Sequence, residues 1–128
     1  MGFAGLDHVQ IAAPAGCENQ ARAFFGDLLG LMEVPKPPQL HGRGGAWFQV
    51  GPQQLHVGVQ EPFVPARKAH PALLVDEATL DELARRLTGA GAAVNWDHEL
   101  PDARRFYTED PWGNRLEILT RGRPPAGG

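Results

Sequence analysis

Asp110-Pro111-Trp112-Gly113-Asn114, followed by Arg115-Leu116-Glu117-Ile118-Leu119-Thr120, reads as a tight turn feeding a strand with one carboxylate in an apolar run. Proline presets φ, and glycine or asparagine accepts positive φ, so the first five residues suit a reversal. A strand sends alternate side chains to opposite faces. Glu117 can therefore face a cavity while Leu116 and Ile118 face a core. His56 stands 61 positions earlier, in the run QLHVGV. His70 opens HPALLV, and His8, 62 positions before it, lies in LDHVQIAA. His8 and His56 are 48 apart, and His70 and Glu117 are 47 apart. This pattern predicts a duplicated unit, with one ligand-type residue on its first strand and one on its last, all four converging on one site.

The rest of the chain fits that repeat. Residues 6–13 alternate as a strand, broken by Pro14 and Gly16. Residues 18–29 carry Ala21, Phe24, Phe25 and Leu28 on one helical stripe, and Gly30 stops them. A short strand at 31–34 precedes an irregular Pro/Gly-rich loop, 35–45. AWFQVG and QLHVGVQ form a hairpin. The second half repeats the plan. HPALLV is a strand, Asp76 caps a helix over 77–89 with Leu80, Leu83, Ala84 and Leu87 on one face, and AAVNW, RRFYTED and NRLEILT are strands. The expected fold class is α+β, with two βαβββ modules forming a curled mixed sheet. Module 1 spans about 4–60 and module 2 about 70–120, with a stiff linker at 61–69 and a disordered tail at 121–128, all within a single domain.

Composition narrows the function classes. A 128-residue chain makes one compact domain or two small packed units. The net charge of −3, without a basic block, gives nucleic acid no electrostatic footprint. No apolar run is long enough to span a membrane, and the N-terminus shows no signal pattern. Cys17 is the single cysteine, so no intrachain disulfide forms, which accords with a cytoplasmic location. Cys17 reads as a plain residue at a helix start.

This plan, with LDHV, LHVGV, HPALLV and above all DPWGNRLEI, resembles the vicinal oxygen chelate superfamily over about residues 4–120. That group includes glyoxalase I, fosfomycin-resistance transferases, methylmalonyl-CoA epimerase, extradiol dioxygenases and metal-free bleomycin-binding proteins. The resemblance implies a glyoxalase-like half-barrel and a divalent metal held by His8, His56, His70 and Glu117. His8, His70 and Glu117 match the triad of the dioxygenase and fosfomycin branches. His56 stands where glyoxalase I has a glutamate, which argues against lactoylglutathione as substrate. Gln10 stands where the fosfomycin branch has a threonine. The resemblance also implies a homodimer, because two-module members generally pair and sheet edges need covering. Each site then draws on one chain or on two.

Imidazole and carboxylate suit Zn, Ni, Mn, Co or Fe. Three His and one Glu leave the ion a formal charge of about +1 and open positions for vicinal oxygens of a substrate. Glu117 and His56 are the candidate catalytic bases. Gln10, Trp47, Gln49, Arg105 and Tyr107 are the candidate pocket wall, with Arg105 toward an anionic group and loop 35–45 as a lid. Arg115 is a plausible ion-pair partner for Glu117 if that residue is merely structural. His41 and His98 are expected to be exposed and outside the site. The expected function is metal-dependent proton transfer of the lyase or isomerase type on a small substrate. The alternatives are an extradiol-type dioxygenase and a non-catalytic small-molecule-binding protein.

Overall fold

The computed structural model describes residues 2–121. Two four-stranded mixed sheets are built, one from each half of the chain. In the first, β1 (His8–Ala13), β4 (Gln53–Val59), β3 (Ala46–Val50) and β2 (Met32–Val34) lie in that order. In the second, the order is β5 (Ala72–Leu74), β8 (Arg115–Arg121), β7 (Ala103–Glu109) and β6 (Asn95–Asp97). The first strand of each sheet pairs in parallel with the last, and the other pairings are antiparallel. The repeat extends to the register. Gln10 and Trp47 flank His56 as Ala72 and Tyr107 flank Glu117.

One face of each sheet joins a common core. Phe48, Leu55 and Val57 from the first sheet share it with Phe106, Leu116 and Ile118 from the second. Helix α2 (Glu77–Gly89) buries Leu80, Leu83 and Leu87 there, and Asp76 caps it by accepting a hydrogen bond from Thr79 N at 2.7 Å. Each fully buried Leu or Phe is worth roughly 1.5–3 kcal/mol of transfer free energy.

The first helix departs from the expected α-helix. α1 (Glu18–Ala21) continues as a π-helix over Arg22–Leu28. Leu29 N donates to Phe24 O, a bond one residue longer than the α pattern. The wider turn buries Phe24, Phe25 and Leu29, while Leu28 is only partly covered. The loop 35–45 also differs, because Pro38–Arg43 form a 3₁₀ helix. Pro38 occupies its first turn, where a missing N–H costs nothing.

Two glycines close the segment that follows. Gly45, at φ +84°, has Val57 O 2.0 Å from where a Cβ would stand. Glycine is required there by contact as well as by conformation. β5 is shorter than HPALLV predicts, and His70 lies before it. Pro71 has no N–H to give a ladder, although its carbonyl accepts from Glu117 N. Of the tail expected to be disordered, Arg121 closes β8, and residues from 122 onward lie outside the described range.

The turn at residues 110–114 is a clamp. Asp110 Oδ1 accepts from Trp112 N and Asn114 N, and Asp110 Oδ2 accepts from Asn114 Nδ2. Asn114 Nδ2 also donates to Ala12 O of β1 at 2.7 Å, and Asn114 Oδ1 accepts from Ala66 N of the linker. One buried side chain thus joins the first strand, the linker and the last hairpin. Burial pushes the Asp110 carboxyl above its ordinary range, against these donated bonds.

Candidate functional site

Strand alternation and register place His8, Gln10, Gln54, His56, Trp47 and Gln49 on the face of the first sheet opposite the core. His56 lies flat on Trp47, with ring centroids 3.8 Å apart and an interplanar angle of 0°. His8 stacks near its other side at 4.2 Å. Gln54 Nε2 donates to Gln49 Oε1, so Gln54 Oε1 is turned to the imidazole and lies 2.9 Å from Nε2 of His56. An amide oxygen only accepts, so Nε2 carries the proton and Nδ1 keeps its lone pair. Burial lowers the pKa of His56, and His8 lowers it further against the pull of Asp7. His8 is more open, and its Nδ1 donates to Asp7 at 2.9 Å.

The corresponding face of the second sheet carries Glu117, Arg105, Tyr107, Arg115 and Asp97, with His70 at its edge. Glu117 is buried, and each of its oxygens faces a side-chain nitrogen. Oε1 lies 3.0 Å from His70 Nε2, and Oε2 accepts from Arg105 Nη1 at 3.3 Å. His70 Nδ1 donates to Lys68 O at 2.8 Å, which fixes that proton and turns Nε2 to the carboxylate. Two ligands cis to one another on an octahedral ion, each about 2.1 Å from it, stand roughly 3.0 Å apart. The separation of His70 Nε2 and Glu117 Oε1 fits such a pair.

The sequence-derived residues thus form two groups. His8, His56, Trp47, Gln10 and Gln49 come together on one sheet, and His70, Glu117, Arg105 and Tyr107 on the other. Among the described residues, no three His, Cys, Asp or Glu side chains meet at a point where they could hold one ion. His8 and His70 line a common cleft of about 620 Å³, between the start of β1 and β5. His8 and His56 are stacked, so their nitrogens do not converge on one centre, and among the described residues His56 forms no three-ligand group with His70 and Glu117.

Arg105 is engaged with Asp97 at 3.1 Å as well as with Glu117. It is therefore not a free anion receptor. Arg115 lies over the Tyr107 ring at 3.8 Å, and it is Arg105 that takes the carboxylate partner offered to Arg115 by sequence proximity. Gln49 Nε2 is spent on Gly51 O and Gln53 O at the hairpin turn. His41 and His98 are exposed, as expected.

Several site residues were missed by sequence reasoning. Gln54 sits two positions before His56, a same-face spacing that strand period alone predicts. Asp97 pairs with Arg105 across β6 and β7, a contact that needs the register. Lys36 and Arg43 sit beside Gln10 and Trp47 in a separate small cavity. The loop that carries them shows no periodicity to reveal it.

The model of the glyoxalase-like domain family matches residues 12–119. The chain belongs to that family, and with it to the vicinal oxygen chelate superfamily. A crystal structure described as a glyoxalase family protein from Bacillus anthracis is 48% identical, covering 94% of this chain and 98% of that one, with a TM-score of 0.89. The oxidase ChaP-H2 is 27% identical, covering 99% and 100% of the two chains, at TM-score 0.72. Lactoylglutathione lyase from Agrobacterium tumefaciens is 22% identical over 94% and 96%, at TM-score 0.71, and shows the shared fold alone. No functionally curated protein matches the sequence. The glyoxalase-like fold accounts for the paired sheets, and its neighbours carry different chemistries on it.

Proposed function

We propose that this glyoxalase-like chain is a metal-dependent enzyme acting on a small substrate with adjacent oxygen atoms, by proton transfer of the lyase or isomerase type. The observation that carries the reading is the His70–Glu117 pair, with its cis-ligand spacing and a proton fixed on the far nitrogen of His70. His8 supplies the third ligand, and His56 stands beside the centre. Because one chain holds these as separate pairs, two chains complete each site in a homodimer. The exposed apolar side chains Phe3, Leu6 and Leu74 near the free edges of β1 and β5 support such pairing.

When bound, a divalent ion would polarise the substrate oxygens and stabilise charge that develops on them. The chain's own groups provide the rest. His56, kept neutral by burial, offers Nδ1 as a proton acceptor, and Gln54 holds the ring in place through Nε2. Trp47 backs that ring and keeps water from one side of it. Arg105 holds Glu117 in its rotamer and balances the charge of the carboxylate. No helix among the described residues is long and apolar enough to cross a membrane.

The test is metal uptake by the purified chain. Zn, Ni, Mn, Co or Fe should bind stoichiometrically, and His70→Ala and Glu117→Ala should lose the ion without losing the fold. Failure of all five ions to bind would overturn the reading. The oxidase neighbour supports a second reading, oxygen insertion at an Fe(II) bound by His8, His70 and Glu117. Oxygen consumption by the Fe(II)-loaded protein with catechols separates the two.

A further inference from the structure

We infer that Lys36 and Arg43 form an oxyanion-recognition subsite beside His56, so that the substrate carries a carboxylate, phosphonate or phosphate group. The inference rests on the proposed site but makes a separate claim about the chain's own residues.

The subsite is a cavity of about 250 Å³ lined by Gln10, Lys36, Leu40, Arg43, Trp47 and Val59, among others. Trp47 and Gln10 also belong to the His56 group, so the cavity adjoins the candidate centre through shared walls. Its two cations are placed by local structure. The 3₁₀ helix runs from Pro38 to Arg43, and Lys36 O accepts from His41 Nε2 at 2.8 Å. Lys36 Nζ donates to Gly44 O. Gly44 and Gly45 then bring the chain against β4, where Gly45 admits no side chain. Gly58 leaves room for the Gln10 amide, which lies 2.8 Å from where a Cβ would stand and would have to move aside for one.

The positive charges are only partly compensated. Neither Lys36 nor Arg43 makes an ion pair among the described residues. The carboxylate nearest the segment is Glu18, and its Oε2 is spent on Gly45 N at 2.7 Å and on Cys17 Sγ at 3.4 Å. Two cations beside one engaged carboxylate leave an excess of about one positive charge, at a cavity whose other walls are an indole, an amide and aliphatic groups. The Arg105 region offers no rival. Its guanidinium already faces Asp97 and Glu117. A substrate anchored by an oxyanion at Lys36 and Arg43 would lie along the Trp47 face, with its reacting end toward His56. Two charged donors on the wall of one cavity would set its direction as well as its affinity.

The experiment titrates the metal-free full-length chain with phenylphosphonate, benzoate and inorganic phosphate, and with benzyl alcohol as the neutral comparison, followed by calorimetry and amide chemical shifts. At least one anion should saturate, shift Trp47 and Gly44 amides, and weaken with added salt, while benzyl alcohol does not saturate. Arg43→Gln and Lys36→Met should each weaken that anion about tenfold. Arg85→Gln, on the exposed face of α2, should leave it unchanged. The relative affinities of phenylphosphonate, benzoate and phosphate identify which oxyanion fits. Co(II) binding is measured in parallel on the same variants. Retained metal with no anion binding, or equal anion binding in the Lys36→Met/Arg43→Gln double variant, overturns this inference and leaves the metal reading standing. Anion binding that depends on both residues in a protein that takes up no metal does the reverse.

Discussion

Asn114 shows how much one side chain can carry. It is 2% exposed and bonds Asp110, Ala12 and Ala66 at once, so its removal leaves buried partners without bonds. Asn114→Ala should cost about 3 kcal/mol, read as a lower denaturant midpoint with an unchanged slope. Cys17 makes the opposite case, an inert residue. Burial pushes its thiol up to about 11, and the neighbouring Glu18 adds to the effect. At pH 8 only about one thiol in a thousand is ionised. An aromatic disulfide reagent should therefore label native protein slowly and unfolded protein at once. His56 supplies a pH signature. Its folded pKa is depressed by burial below the ordinary 6.5, so the unfolded state binds the extra proton. Stability then rises with pH across that interval. In metal-free protein this contribution is complete above about pH 6.5 and is lost as the pH falls below it. Urea melts between pH about 7.5 and about 5 should lose part of their slope in His56→Gln.

At the level of elements, the sharpest prediction concerns the join between the 3₁₀ helix and β3. Gly45→Ala forces a Cβ into Val57 O at positive φ and should destabilise by more than about 1 kcal/mol, the usual scale for an incompatible glycine replacement. Gly16→Ala, with open space around it, should cost less, because only conformation is at stake. Thermal midpoints of the two variants give the comparison. What the sequence revealed follows the same division between period and contact. Asp76 and the Leu80–Leu83–Leu87 stripe mark α2 to the residue, because cap and period agree. The first helix has the same kind of stripe, yet it widens to a π-helix. Two adjacent phenylalanines and Leu29 all have to reach one core, a packing demand that local period does not encode. The 3₁₀ helix was hidden by Pro35, Pro37 and Pro38, at and before its start, which read as loop. Glu117 and His56 were found because strand alternation isolates a polar residue in an apolar run. Lys36 and Arg43 were not, because only the fold of the loop brings them to Trp47.

For the whole molecule, the spacing of the repeat predicted four ligand-type residues at equivalent places, and it predicted the two βαβββ modules, each of which builds its own four-stranded sheet. It did not show that one chain would hold the residues as two separate pairs. That separation follows from the shared core, since both sheets press the same kind of face inward and leave His56 and Glu117 on their outer faces. On the proposed reading, a second copy would complete each site by setting its β5 side against this chain's β1 side, and two-fold symmetry would then make two equivalent sites. The expectation is a dimer at micromolar concentration by sedimentation, and a complementation test decides how it is built. His8→Ala and Glu117→Ala should each abolish metal binding alone. In a mixed dimer, one site contains both substitutions and the other contains neither. Unfolding and refolding the two variants together at equal amounts should therefore restore metal to about a quarter of all sites, since random pairing makes half the dimers mixed. Sites built within single chains would restore none, because every chain in the mixture carries one of the two lesions.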